Sequence, residues 1–169
     1  MRFVALVSAC LLAGFGSVPA APPSPSAGDF VEGIELAAQE QELAQGATAS
    51  QFNVMQLRDL WVSVRLGKMP KTATLDLAFI SPRGETFYET RLFYSRDSKI
   101  KSVRPAGGAA PASVLPARRL PGGYALDQPI PIAGSVFVRY PTPGIWTVRA
   151  TVSGVEQPMT TTIELLANP

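Results

Sequence analysis

Residues 134–154 read GSVFVRYPTPGIWTVRATVSG, and the fold class hangs on this stretch. From Gly144 onward Trp146, Val148, Ala150 and Val152 alternate with Thr147, Arg149, Thr151 and Ser153. That period of two marks a half-buried strand. Before the Pro-Thr-Pro-Gly turn, Val136, Val138 and Tyr140 alternate with Ser135, Phe137 and Arg139, which predicts a second strand and hence a hairpin. Its single apolar face needs a covering layer.

The chain upstream supplies candidates for that layer. Residues 57–66 predict a strand with Leu60, Val62, Val64 and Leu66 inward and Trp61, Ser63 and Arg65 outward. After a loop at 67–71, residues 72–80 predict the next, with Leu75, Leu77 and Phe79 inward and Thr74, Asp76 and Ala78 outward. Ser81-Pro82-Arg83-Gly84 is a tight turn, in which proline presets φ and glycine accepts a positive φ. Residues 85–95 return as a strand with aromatics on both faces.

Periodicity fades over residues 96–123, which hold four prolines and four glycines and predict a long basic loop. Short extended pieces around 99–103 would shorten it. Residues 124–132, with Pro129 and Pro131, suit an edge strand, because proline cannot donate to a ladder. Residues 157–166 close the set through Thr161, Ile163 and Leu165. Residues 30–46 stay ambiguous: composition favours helix, yet Ile34, Leu36 and Ala38 alternate, so a short strand followed by a turn or helical piece is expected.

The expected architecture is therefore all-β, a single antiparallel sandwich of about seven strands over residues 30–169. Arg2, the apolar run of residues 3–15 and Val18-Pro19-Ala20 predict a signal peptide over residues 1–20, with a Pro/Ser-rich spacer at 21–29. The apolar run is shorter than the roughly 20 residues of a spanning helix. Cys10 lies inside that run rather than after it, which argues against a lipidated cysteine.

Cys10 is the only cysteine and histidine is absent from the 169 residues. The mature chain would then lack disulfides, zinc ligands and the commonest general base, leaving only all-oxygen metal sites open. No cofactor is called for. Without residues 1–20 the chain carries 14 basic and 13 acidic residues, a net of +1. The distribution is uneven: residues 29–45 hold five acids and no base, whereas residues 91–119 hold seven bases against Asp97.

Pro143-Gly144-Ile145-Trp146-Thr147-Val148, with Ser81-Pro82-Arg83-Gly84 upstream, resembles strand and turn signatures of immunoglobulin-like domains in exported bacterial proteins. The order is also similar to that of exported bacterial domains of unknown function. These share an early Val-Glu-x-Ile (here residues 31–34), a strand at 60–66 and a late Gly-x-Trp-x-Val at 144–148. The resemblance implies a fold and brings no catalytic residue with it.

Several residues are candidates for chemistry. Arg96, Lys99, Lys101, Arg104, Arg118 and Arg119 could meet an anionic envelope polymer, lipid headgroup or acidic protein; a solvated loop is the plainer expectation. No aromatics interleave with them, which disfavours nucleic acid. Trp61 and Phe137 fall on outward strand positions and could anchor a protein partner or be covered locally. Ser98-Lys99-Ile100-Lys101 fits a Ser-x-x-Lys pattern without the helix it needs. Asp76, Glu85 and Glu89 could pair as carboxylates across a hairpin, though exposed strands carry such acids routinely. The expected function is a non-enzymatic exported binding or structural module of the bacterial envelope, periplasmic or secreted, acting through protein–protein contact. The alternatives are a polyanion-binding accessory protein using the basic loop and, behind it, a carboxylate-based hydrolase.

Overall fold

A computed structural model describes residues 32–105 and 110–168. The expected signal peptide and spacer, and the expected start of the domain at Phe30 and Val31, lie outside the described residues. Among the described residues eleven strands form two sheets. The small sheet is antiparallel, in the order β1 (Gly33–Ala37), β3 (Asp59–Leu66), β9 (Gly123–Pro131) and β8 (Arg118–Leu120). The large sheet is mixed. Its order is β2 (Gln51–Asn53), β11 (Met159–Leu166), β10 (Gly144–Val152), β4 (Thr72–Ile80), β5 (Thr86–Ser95), β7 (Ala112–Pro116) and β6 (Ser102–Val103). Two pairings in it, β2 with β11 and β5 with β7, are parallel. A short helix, α1 (Glu40–Ala44), follows β1, so residues 33–44 are strand and then helix as expected.

The inward positions behave as their pattern requires, whereas Ser63 and Ala78, read as outward, are buried as well. Leu60, Val62, Val64 and Leu66 of β3, Leu75, Leu77 and Phe79 of β4, and Trp146, Val148, Ala150 and Val152 of β10 are all buried. They join Leu126, Ile130, Ile163 and Leu165 in one core that draws on both sheets. Each such side chain contributes about 1.5–3 kcal/mol on leaving water. The Ser81–Gly84 turn forms as read: Gly84 N–H donates to the Ser81 carbonyl at 2.9 Å, and Gly84 sits at φ +82°.

The chain is all-β as expected, but eleven strands and two parallel pairings replace the expected seven antiparallel strands, and two local expectations are corrected as well. Residues 136–140 are not a strand: Val136–Arg139 is a short helix, α2, capped by the Ser135 hydroxyl, which accepts the Phe137 N–H at 3.2 Å. Both sides of β10 are already paired, with β4 and with β11, so these residues have no ladder to join. The turn of helix also changes which side chain faces inward, burying Phe137 and leaving Val136 and Tyr140 exposed.

Nor is 96–123 a long loop. It contributes β6, β7 and β8. Val114 and Leu115 sit beside Phe93 and Tyr94 of β5, and Leu120-Pro121-Gly122-Gly123 closes a tight hairpin into β9. At Pro116-Ala117-Arg118 the chain leaves the large sheet for the small one. Strand β9 is consequently an interior strand over residues 123–125, where β8 pairs with it.

Candidate functional site

Beyond residue 125 the outer side of β9 has no strand partner among the described residues, and here the edge reading does apply. The backbone acceptors on that side are met by side chains. Tyr94 donates its hydroxyl to the Asp127 carbonyl at 2.9 Å, and Gln128 Nε2 donates to the Pro129 carbonyl at 2.9 Å. Proline at 129 and 131 costs no ladder bond on an unpaired side. The edge is thereby blunted against pairing with another chain.

A groove of about 420 Å³ lies beside this edge, between the β7–β8 crossover and the small sheet. Trp61, Leu115, Pro116, Ala117 and Pro129 give it apolar walls, with Glu40 and Arg118 as its charged margin. Trp61 is half-buried and also lines a second groove of about 320 Å³ toward Glu40, Arg58 and Asp59. Trp61 and Glu40 thus line both clefts. Helix α1, through Glu40, and the β7–β8 crossover border Trp61, which stays half-buried.

Arg118 is committed to structure. Its Nε and Nη2 reach the two oxygens of Asp127 at 2.5 and 3.1 Å, while Asp127 Oδ1 also accepts the Ser63 hydroxyl at 2.6 Å. This hydrogen bond raises the guanidinium's already high pKa, against a smaller opposing effect of burial. Phe137 is corrected as a partner-binding candidate. It is 2% exposed, and its ring packs against Phe79, Phe87, Tyr88 and Trp146 at centroid distances of 5.4–5.9 Å.

The remaining candidate cations lie on the segments that follow β5 and flank β6, and on β8. Because β4 and β5 form a hairpin, Thr72 pairs with Ser95, and Arg96 N–H donates to the Lys71 carbonyl at 3.2 Å. Lys71 Nζ lies 3.4 Å from Asp97 Oδ2, and Asp97 Oδ1 accepts the Lys99 N–H at 3.0 Å. These two contacts, the amide bond foremost, hold the Asp97 carboxyl below its usual range. Lys101 accepts the Val114 N–H through its carbonyl and leaves its side chain exposed. Arg104, also exposed, borders a groove of about 350 Å³ lined by Thr72, Thr74, Phe93 and Ser153. Arg119 is exposed on β8, paired with Tyr124, which in turn pairs with Leu66. Lys68 and Lys71 were not singled out from sequence, although the 72–95 pairing is implied once the 81–84 turn is recognised.

Of the candidate carboxylates, Asp76 and Glu89 lie diagonally across the β4–β5 ladder, opposite Arg91 and Ala78 respectively. Asp76 holds Arg91 in a two-bond ion pair at 2.5 and 3.0 Å. Ser98 lies in a turn closed by Ile100 N–H on the Asp97 carbonyl, so Lys101 is not one helical turn away from it. Among the described residues no group of three or more carboxylates could hold a metal ion, and no helix is long and apolar enough to cross a membrane.

No protein-family model matches this chain, and no curated protein matches it.

Proposed function

We propose that this chain is an exported, non-enzymatic binding module of the bacterial cell envelope. On this reading a signal peptide over residues 1–20 directs it to the periplasm or the cell exterior, and residues 30–169 form an immunoglobulin-like sandwich. Its ligand is another envelope protein, which docks at Trp61. The observation that carries the proposal is the half-buried indole lining two clefts, with proline and aliphatic walls and a charged margin. Partly exposed tryptophans in such settings dominate protein interfaces. The blunted β9 edge favours docking by side chains over addition of a strand there. The engagement of Asp76 by Arg91 supports a passive role over hydrolysis.

The test compares full chain and Trp61→Ala as bait for chemical cross-linking in envelope extracts, with folding checked by circular dichroism. One cross-linked protein lost in Trp61→Ala, with unchanged spectra, is expected. Identical cross-linking by both baits would remove Trp61 from the interface and end the proposal.

A further inference from the structure

We infer that the basic segments flanking β6 bind an acidic polysaccharide, seating one carboxylated sugar in the groove beside Phe93. This goes beyond docking at Trp61 and does not rest on it, since the two grooves share no residue.

The groove combines three chemistries that such a sugar requires. Phe93 on β5 pairs with Thr74 on β4, so the half-buried ring and the threonine share one sheet face. Thr72, two residues earlier on the same strand, faces the same way. A phenyl surface matches the C–H face of a pyranose, and the flanking hydroxyls match its ring substituents. Ser153 accepts the Thr74 N–H at 2.9 Å, and a hydroxyl that accepts this bond still has its own proton to donate. Arg104 supplies the forked donor that suits a carboxylate.

Charge extends the site beyond one sugar. Lys71 precedes Thr72 and Arg96 follows Ser95, the β5 partner of Thr72, while Lys99 and Lys101 precede β6 as Arg104 follows it, and Asp97 is offset by Lys71. Their side chains are exposed, so each attracts an anion weakly. An isolated anion gains little from any one of them, whereas a chain of repeated charges engages several at once. Single-stranded nucleic acid binds on successive aromatic platforms; Phe93 is the one aromatic side chain lining this groove. A sugar chain therefore fits better.

The test titrates labelled polygalacturonate into the full chain at 50 and 200 mM NaCl, with dextran, polyphosphate and duplex DNA as comparison probes. Polygalacturonate should bind, and its affinity should fall by more than about tenfold between the two salt concentrations. Thr74→Val and Arg104→Ala should each weaken it by about fivefold or more. Trp61→Ala and Arg83→Ala, the latter in the 81–84 turn, should leave it unchanged. Dextran should not bind. Absence of polygalacturonate binding overturns the inference. So does equal affinity for polyphosphate or DNA combined with no effect of Thr74→Val, which would reduce the site to undirected charge. Thermal melts of each variant establish that it is folded.

Discussion

Tyr94 on β5 reaches across the core to the small sheet, its hydroxyl 2.9 Å from the Asp127 carbonyl on β9. The side chain is fully buried, and burial, with a smaller effect of the Asp127 charge, pushes the phenol well above its usual range. Removing the hydroxyl in Tyr94→Phe leaves the carbonyl short of a donor and should cost about 1–3 kcal/mol. The pH dependence follows from the sign of the shift. The folded pKa is raised, so this contribution is complete below about pH 10 and declines above it as the unfolded chain ionises. Urea unfolding at about pH 8 and pH 11 should show roughly 1 kcal/mol more loss in the parent than in Tyr94→Phe. Parallel losses would show that Tyr94 ionises as freely in the folded state.

Helix α2 makes a prediction that a strand at the same residues would reverse. Phe137→Ala removes a ring held among Phe79, Phe87, Tyr88 and Trp146 and should cost about 3–5 kcal/mol. Val136→Ala, at an exposed position, should stay within about 0.5 kcal/mol. Chemical unfolding of the two variants decides the matter. A larger loss at Val136 than at Phe137 would restore the strand.

These contrasts locate what the sequence could and could not convey. The inward sets of β3, β4 and β10 were legible because each strand buries alternate residues over seven or more positions. Residues 136–139 span one helical turn, too short for periods of 2 and 3.6 to separate. Their state was decided by tertiary facts, namely two occupied sides of β10 and a capping serine. The strands within 96–123 were hidden for a related reason. Each has two to five residues, and β7 is stabilised by a partner distant in sequence, as Val114 is by Phe93. The cations themselves could be read directly. Their division into Arg118, tied to Asp127, and the exposed remainder could not, because that depends on the β8–β9 register. Trp61 was visible as an outward aromatic, but the larger of its clefts requires the β7–β8 crossover.

Gly144, at the start of β10, has φ +130°, and an added Cβ would lie 3.1 Å from Pro82 Cγ. Backbone strain and contact both oppose a side chain here. Gly144→Ala should therefore lower stability by about 1–3 kcal/mol, although glycine normally weakens a strand. A thermal melt at or above the parent's would show that the β10 start relaxes freely.

Two arginine–aspartate pairs offer a comparison in which geometry is nearly constant and exposure is not. Arg118 binds Asp127 through Nε and Nη2, as Arg91 binds Asp76. The Arg118 side chain is 37% exposed, that of Arg91 67%, and Asp127 has the Ser63 hydroxyl as a third donor. If two-bond geometry set the energy, both pairs would couple equally. Solvent screening argues otherwise, because water competes for an exposed guanidinium and salt reaches it. Double-mutant cycles with Arg118→Ala and Asp127→Ala should give a coupling of about 1 kcal/mol. The Arg91–Asp76 cycle should give a smaller value that fades further in about 1 M salt, where the first pair keeps most of its coupling. Equal couplings with equal salt sensitivity would mean that Arg118 is as solvated as Arg91 in solution. It would then rejoin the free cations of the molecule.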